Sequence, residues 1–224
     1  LPPRYFGQDE AVERCVRRAG ERVVTVWFVG AGPGDPELLT IKGARVIAAC
    51  PVCLFAGSLV PEAVVAGAPE GARVMDTASM TLEQTHAEIV AAEARGEDVA
   101  RVHSGDPSLY GAIAEQIRLL KRDGIGYEIV PGVPAYVAAA AALGQELTVP
   151  EVAQSVVLTR MSMKSTGMPA GETLEGFAAT GTTLAIHLGI RALRDIERRL
   201  VPFYGADCPV AVVYRVGWPD QVLL

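Results

Sequence analysis

Short apolar runs rich in β-branched residues alternate along the chain with stretches whose apolar residues recur at helical spacing. Glycine, proline and aspartate separate the two kinds of segment, as is typical of strands and helices joined by tight turns. The runs predict seven strands: Val23–Val29, Val52–Phe55, Val99–His103, Tyr127–Val130, Val156–Thr159, Thr183–His187 and Val210–Val216. The intervening stretches predict helices at about Leu38–Ala49, Leu82–Gly96, Leu109–Lys121, Ala135–Leu143, Leu174–Ala179 and Ala192–Leu200.

One of these helices begins at a capping box. In Thr81-Leu82-Glu83-Gln84 the Thr81 hydroxyl can accept a hydrogen bond from the amide of Gln84, whose side chain can reach back to the amide of Thr81. Side-chain chemistry therefore predicts the same helix start as the periodicity.

The alternation of strands and helices predicts an α/β fold in which crossover helices join parallel strands. The alternation pauses at Thr148-Val149-Pro150, so we predict one α/β domain over residues 23–147 and a second over residues 148–224. The first 22 residues carry charges and one helical stretch, Asp9–Ala19, but no strand. We interpret residues 1–22 as an N-terminal extension.

Composition excludes several classes of protein. The chain has 224 residues, of which 50% are hydrophobic and 21% charged, which suffices for a core without a metal or disulfide. Its net charge of −6 argues against nucleic acid as a partner, because phosphate binding needs a basic surface. The longest apolar stretches are too short for a spanning helix or are broken by Pro51 and Gly57, so no membrane span is predicted.

The four cysteines are few and irregularly spaced and no secretory leader is visible, which favours a cytoplasmic protein. Cys50 and Cys53 have the spacing of a redox pair, but they fall where a helix gives way to a strand rather than at a helix start. The alternative is the packing of two small side chains, which we prefer. The three histidines lie on separate predicted elements without ligand spacing, so no metal site is predicted.

A glycine-rich loop, Gly30–Pro36, directly follows the first predicted strand. Its sequence, Gly-Ala-Gly-Pro-Gly-Asp-Pro, allows the backbone to approach a ligand closely and to adopt turns closed to other residues. A dinucleotide fingerprint would have its third glycine where Asp35 stands, and Pro33 lacks a backbone donor for a pyrophosphate. The loop therefore suits something other than a dinucleotide, and a purely structural turn is the alternative.

Two more loops follow predicted strands, Ser104–Tyr110 and Val130–Ala135. Ligands of open α/β sheets bind at the carboxyl ends of strands, where both loops lie. Asp106 can accept from a ribose hydroxyl or an ammonium group, and Gly105 leaves room for a flat ring or a thioether, although Gly-Asp-Pro is also a common turn. Free backbone donors in the other loop can hold a purine edge.

Together the three loops resemble those of the tetrapyrrole methylase family, the S-adenosylmethionine-dependent enzymes of sirohaem and cobalamin synthesis. The resemblance runs from about Val26 to the C-terminus, and four shorter segments add to it: Gly57–Val60, Ala78–Leu82, Leu158–Arg160 and Trp218–Asp220. It implies two α/β domains, with a parallel sheet in the first, a mixed sheet in the second and S-adenosylmethionine in the cleft between them. It also implies methylation of a precorrin, a tetrapyrrole, by a homodimer.

By motif position, the resemblance assigns nine residues to cofactor binding: Pro33, Ser104, Gly105, Asp106, Leu109, Pro134, Ala135, Leu188 and Tyr214. Several depart from the residue that is usual in the family. Pro134 stands where threonine or serine is common, Leu188 where methionine is common, and Ser104 often aligns with a glycine. Because Pro134 has neither a hydroxyl nor an amide donor, its contact would be through its carbonyl or by packing.

Four residues are assigned to the substrate: Asp35, Ser58, Met80 and Arg160. Precorrins carry many carboxylates, which basic side chains bind, so Lys164 and Arg191 are further candidates. For Arg160, Lys164 and Arg191 alike, a solvated surface charge is the alternative that we prefer. Methyl transfer from a sulfonium depends mostly on positioning and needs little acid–base chemistry. We therefore assign no catalytic base: Asp35 or Asp106 could take a ring proton, but each could equally be a binding group or a loop cap.

Two features depart from the family pattern. Met161–Lys164 stands where an acidic, glycine-rich turn is usual. The chain ends at Leu224, where relatives continue through further strands, so we expect a truncated second domain with an incomplete sheet.

Three other functions stay open. A nicotinamide-dependent reductase would need the third glycine and an acidic residue about 20 positions further on, and neither is in register. A methyltransferase of the same fold could act on another tetrapyrrole, such as uroporphyrinogen, or on a protein, as diphthine synthase does, but the latter should lack the Ala78–Thr81 signature. A non-catalytic carrier would bind the pigment without S-adenosylhomocysteine.

Overall fold

A computed structural model describes residues 24–162 and 167–224 of the chain. The predicted extension over residues 1–22, including the helical stretch Asp9–Ala19, lies outside the described residues, as does Lys164. Contacts divide the chain into two compact units. The first unit runs up to Ala31 and continues over Pro36–Gly132, and the second comprises Gly32–Asp35 and Val133–Leu224.

The first unit is built on a five-stranded parallel sheet, which confirms the predicted arrangement. Its strands are β1 (Thr25–Gly30), β2 (Val52–Phe55), β3 (Arg73–Asp76), β4 (Val99–His103) and β5 (Gly126–Val130), in the order β3-β2-β4-β1-β5. Strand β3 is not among the predicted strands, because this edge strand begins and ends on a charged residue and is largely exposed, so it presents no apolar run.

Helices cover both faces of this sheet. They are α1 (Ile41–Ile47), α2 (Glu62–Val65), α3 (Leu82–Ala94) and α4 (Ile113–Asp123). The capping box at Thr81 and Gln84 is present as predicted. The helix predicted from Leu109 begins four residues later, because Tyr110 and Ala112 adopt left-handed backbone conformations that extend the preceding loop.

Strand residues alternate between the two layers of helices, as the period of two requires. Val26 and Phe28 of β1 belong to one buried cluster with Ile89 of α3 and Leu120 of α4. The neighbouring Val29 belongs to the other cluster, which includes residues of α1 and α2. The central strands are thus apolar on both faces, which explains why the sequence shows them as continuous apolar runs.

The buried faces also accommodate the two cysteines of the suspected redox pair. Cys50 and Cys53 are unpaired and buried in the cluster that packs against α1 and α2. Burial raises the pKa of both thiols to about 12, so the reactive thiolate is scarce at neutral pH. The structure therefore supports packing rather than redox chemistry.

The second unit contains α5 (Ala135–Leu143), α6 (Leu174–Ala178), α7 (Leu193–Tyr204) and four short strands. Strands β6 (Val156–Arg160) and β7 (Thr183–His187) pair in parallel, and β8 (Val213–Tyr214) and β9 (Val222–Leu223) pair antiparallel. The described residues thus form two separate two-stranded sheets rather than the single mixed sheet that we predict. The predicted strand Val210–Val216 is reduced to two residues, and Arg215 follows it with a left-handed backbone.

The division between the units differs from the predicted boundary at residue 147. It falls at Gly132, and the segment Gly32–Asp35 also groups with the second unit. Two interactions show why α5 and the segment after it belong there. The Tyr136 ring lies 6.3 Å from the His187 ring, and the Thr183 hydroxyl donates to the Leu147 carbonyl at 3.1 Å.

No helix in the described parts of the chain combines the length and the apolar character needed to cross a bilayer.

A buried histidine makes the stability of the first unit sensitive to acid. His103 is 8% exposed, and burial, together with nearby Arg101, lowers its pKa from 6.5 to about 3. The unfolded chain therefore binds a proton that the folded protein does not between these pH values, and stability falls as pH decreases through this window. Above pH 6.5 this loss is absent.

We expect the His103→Leu variant to lose less stability on acidification than the unaltered protein. From pH 7 to pH 5, the free energy of unfolding of the unaltered protein should fall by about 1–2 kcal/mol more than that of the variant, from the proton linkage of one histidine. Urea unfolding at both pH values measures it. Equal losses in the two proteins would contradict the assignment of a neutral buried His103.

Candidate functional site

The carboxyl ends of the five parallel strands meet at one edge of the first unit's sheet. The chain leaves β1 toward α1 on one face and leaves the adjacent β4 toward α4 on the other, so the connections diverge between these two strands. Such a switch point is where open α/β sheets bind ligands. Six predicted site residues lie in loops at this edge: Ser58, Met80, Ser104, Gly105, Asp106 and Leu109.

Three glycines bring the ends of β4, β1 and β5 into direct backbone contact. A Cβ atom on Gly132 would lie 2.2 Å from the Gly105 carbonyl oxygen, and one on Gly30 would lie 2.5 Å from the Cα of Gly132. We expected the glycine of the first loop to admit a ligand. At Gly30 the space is instead taken by the neighbouring strand ends, which leaves no room for a side chain.

Asp106 ties the loop after β4 to the loop after β5. Its Oδ1 accepts from the Ser108 amide at 2.8 Å and its Oδ2 from the Gly132 amide at 2.9 Å. The carboxylate therefore has a structural role in holding the loops. Each oxygen keeps a second lone pair, so it can still accept from a hydroxyl or ammonium group.

The rest of the loop after β4 has an unusual backbone. Tyr110 and Ala112 both have φ values above 50°, which is strained for residues with a side chain. A Cβ on the intervening Gly111 would lie 2.2 Å from the Pro107 carbonyl oxygen. Such a conformation persists only where surrounding contacts fix it, and it is more common at functional sites than elsewhere.

A second carboxylate, Asp76, fastens the loops that carry Ser58 and Met80. Its Oδ1 accepts from the amides of Gly57 and Ala78, each at 2.8 Å, and these two bonds lower the pKa of the carboxyl group. Asp76 is not among the residues predicted from the sequence. An aspartate that accepts from the amide two residues ahead is a recognised turn former, so its position before Thr77-Ala78 could have indicated this role.

In the second unit, the segment Gly32–Asp35 is held by Trp218. The indole Nε1 donates to the Pro33 carbonyl at 3.2 Å, and a Cβ on Gly34 would lie 2.3 Å from the indole ring. The guanidinium of Arg215 lies 3.9 Å from the centre of the same ring. Tyr214, half of whose surface is exposed, directly precedes Arg215, so the structure brings two predicted cofactor residues, Pro33 and Tyr214, into one neighbourhood.

Two further predicted residues lie at the start of α5. Pro134 caps this helix without a side-chain hydrogen bond, and Ala135 is its first residue. The contact between Tyr136 and His187 brings this helix start close to Leu188. Leu188 is 66% exposed and has a left-handed backbone, another strained conformation at a predicted site residue.

The predicted substrate residues of the second unit lie in two places, Asp35 beside Trp218 and Arg160 at the end of β6. The backbone of Asp35 packs against Gly217, where a Cβ would lie 2.8 Å from the Asp35 amide nitrogen. Arg160 ends β6 and lines a small pocket together with Glu172, Thr173 and Arg199. Within residues 24–162 and 167–224, no cluster of histidine, cysteine or carboxylate side chains has an arrangement that could hold a metal ion.

Comparison with known proteins places the chain in a family. The sequence profile of the Tetrapyrrole (Corrin/Porphyrin) Methylases matches residues 25–224. A precorrin-4 C(11)-methyltransferase from Sinorhizobium is 56% identical over 198 residues, which cover 88% of this chain and 78% of the relative. A cobalt-precorrin-4 C(11)-methyltransferase from Methanocaldococcus jannaschii is 44% identical over 200 residues, which cover 89% and 77%.

Solved structures agree with the sequence matches. A cobalt precorrin-4 methyltransferase that takes part in cobalamin biosynthesis superimposes with a TM-score of 0.85 at 41% identity, covering 89% of this chain and 84% of that one. A uroporphyrin-III C-methyltransferase from Thermus thermophilus, complexed with S-adenosylhomocysteine, gives 0.70 at 28% identity, covering 89% and 82%. The fold and these relatives define an α/β methyltransferase. The chain belongs to the tetrapyrrole methylase family.

The described residues include acceptors, backbone donors and apolar surface of the kinds that S-adenosylmethionine would need. The carboxylate of Asp106 keeps acceptor sites for a hydroxyl or ammonium group, and the exposed Leu188 offers an apolar surface for a flat ring. The amides of Ala135 and Tyr136 lie in the first turn of α5, where backbone donors have no partner within the helix.

We expect the Gly132→Ala variant to be destabilised by about 2 kcal/mol or more, because the new methyl group would displace the ends of two strands. Gly67→Ala is the matched control, since its Cβ would meet nothing within 4 Å and should change stability by less than about 0.5 kcal/mol. Urea unfolding measures both. Equal stability of the two variants would contradict the packing of the three strand ends.

Proposed function

We propose that this chain methylates a precorrin in cobalamin biosynthesis, and specifically C-11 of precorrin-4, with S-adenosylmethionine as the methyl donor. One observation carries the proposal. Relatives named precorrin-4 C(11)-methyltransferase are 53–59% identical over 88–90% of this chain. Cobalt-precorrin-4 enzymes are 41–44% identical over 89% of it, which favours the metal-free substrate.

The cofactor is assigned to the nine residues that the family resemblance gives: Pro33, Ser104, Gly105, Asp106, Leu109, Pro134, Ala135, Leu188 and Tyr214. When bound, S-adenosylmethionine supplies an electrophilic methyl group on a positively charged sulfur. The residues of this chain hold it in place, and the hydrogen-bonded Asp106 fixes the first-unit loops in which its neighbours lie.

The substrate is assigned to Asp35, Ser58, Met80 and Arg160. Arg160 offers a guanidinium that can bind two oxygens of a carboxylate side chain of the pigment. Asp76 supports Ser58 and Met80, because its carboxylate accepts hydrogen bonds from the loops in which these two residues lie.

Catalysis by these residues consists of positioning. Alignment of the ring carbon with the methyl group converts a reaction between two molecules into one within a complex, which accounts for much of the rate increase of an enzyme. A weakly polar environment would favour the loss of positive charge from a sulfonium donor, and the side chains of Leu109 and Leu188 are apolar. No step requires a side chain of this protein to form a covalent bond.

We further propose that the protein acts as a homodimer in the cytoplasm. Its half-hydrophobic composition supports this proposal, since obligate dimers bury apolar surface. Light scattering of the purified protein tests the dimer, and a monomer at micromolar concentration would contradict it.

Titration with S-adenosylhomocysteine and methylation of precorrin-4 together test the function. We expect saturable binding by calorimetry and transfer of a labelled methyl group to C-11, detected by NMR. A carrier would bind the pigment without S-adenosylhomocysteine. Label at another ring carbon would reject the regiochemistry but keep the family, and absence of both binding and transfer would contradict the proposed function.

Asp76→Ala should raise the KM for the tetrapyrrole about five- to tenfold, because the amides of Gly57 and Ala78 lose a charged acceptor that orders both loops. The affinity for S-adenosylhomocysteine should stay within about twofold, since Asp76 does not support the loop after β4. Glu70→Ala, another exposed carboxylate of the first unit, is the control and should change neither constant. A parallel loss of both affinities in Asp76→Ala would contradict a role confined to the substrate loops.

A further inference from the structure

The central strand of the first unit carries a buried arginine. Arg101 lies in the middle of β4 and is 9% exposed. Burial lowers its pKa to about 10, so it remains charged at neutral pH. Among the ion pairs of residues 24–162 and 167–224, none includes Arg101. Burial of a charge without a counter-ion costs stability, so the presence of Arg101 needs another explanation.

Three neutral acceptors surround this guanidinium. Its Nε donates to Oε1 of Gln116 at 3.2 Å, and its Nη1 donates to Oγ1 of Thr77 at 3.0 Å and to the Leu54 carbonyl at 3.3 Å. These acceptors come from α4, from the residue after β3 and from β2. We call Thr77, Arg101 and Gln116 the polar network.

One branch of the polar network reaches the loop after β4. Gln116 Nε2 donates to the carbonyl of Ala112 at 3.4 Å. Ala112 caps α4 with φ 51° and without a side-chain hydrogen bond, and it ends the strained loop that begins at Ser104. The side-chain amide of Gln116 therefore holds the left-handed backbone of Ala112, a conformation that alanine disfavours.

The other branch reaches the loop after β3. The Thr77 hydroxyl accepts from Arg101 and donates to the Phe55 carbonyl at 3.0 Å, and the Thr77 carbonyl accepts from the Met80 amide at 3.0 Å. Thr77 also follows Asp76, which holds the Gly57 amide. The hydroxyl therefore orients the segment that carries Met80.

We propose that Arg101 is a positioning residue that fixes two loops of the first unit relative to each other. They are the loop after β4, which carries the cofactor residues Ser104–Leu109, and the loop after β3, which carries the substrate residue Met80. The guanidinium is suited to this role, because its planar fork donates in two directions at once and has no acceptor of its own. A lysine has a single ammonium group at its tip, which could not donate to both Gln116 and Thr77. The inference rests on the proposed function for the identity of the two ligands, whereas the coupling between the loops is a property of the fold.

Single substitutions separate the two branches. Gln116→Leu should weaken S-adenosylhomocysteine binding about tenfold and leave the KM for the tetrapyrrole within about twofold. Thr77→Val should do the reverse, and Thr77→Ser, which keeps the hydroxyl, should restore the KM. Arg101→Met and Arg101→Lys should impair both constants. Arg118→Met, an exposed arginine on the same helix as Gln116, is the control and should impair neither.

A double-mutant cycle tests whether Arg101 connects the branches. In the Arg101→Met background, the effects of Thr77→Val and Gln116→Leu should shrink to about twofold or less, because the bonds from the guanidinium that orient both side chains toward the loops are already lost. Full, additive effects in that background would overturn the proposal. A uniform fall in stability cannot produce this pattern, since it would lower both affinities in every variant.

Hydrogen exchange followed by mass spectrometry gives a readout that needs no substrate. Arg101→Met should raise exchange of amides in both Thr77–Met80 and Ser108–Ile113, whereas each branch variant should raise it in one segment only. Unchanged protection in both segments of Arg101→Met would overturn the coupling. If exchange behaves as expected but the unaltered protein neither binds S-adenosylhomocysteine nor methylates precorrin-4, then the proposed function fails and the coupling stands.

Discussion

The parallel direction of all five strands is the constraint on which the first unit depends. It places every strand-to-helix loop at the same edge of the sheet, so residues far apart in sequence become neighbours without any long loop. It also requires the central strands to be apolar on both faces, because helices cover each side. The glycines at the ends of β1 and β5 allow these strand ends to approach as closely as backbone atoms can. Asp106 then joins the loops above them through two backbone amides.

Much of this architecture could be predicted from the sequence, because the strongest signals are those of buried elements. Val52–Phe55, Val99–His103 and Thr183–His187 were predicted with the bounds that the structure shows. The edge strand Arg73–Asp76 and the one-turn helix Glu62–Val65 were missed, since a short or exposed element carries little periodic signal. The second unit was predicted less well, because two-residue strands cannot be distinguished from loops by alternation.

For the candidate site, sequence reasoning found the loops but not the contacts that shape them. Asp106 was predicted as a ligand residue because of its charge, and the structure shows that it also accepts from amides of its own loop and of the loop after β5. Thr77, Arg101 and Gln116 were not identified, because an arginine inside an apolar strand gives no indication of which loops it will reach. Such a network depends on which strands are adjacent, and adjacency of β2 and β4 follows from tertiary structure rather than from local pattern.

The position of Trp218 gives the protein a built-in optical reporter. The chain has two tryptophans, and their surroundings differ: Trp27 of β1 has the Lys42 ammonium 5.4 Å from the centre of its ring, whereas Trp218 is hydrogen-bonded to Pro33 beneath the Arg215 guanidinium. Indole emission depends on the charges and hydrogen bonds around the ring. In a protein whose Trp27 is replaced by phenylalanine, fluorescence would therefore arise at the glycine-rich segment alone, and changes in that segment could be followed in real time without an added dye.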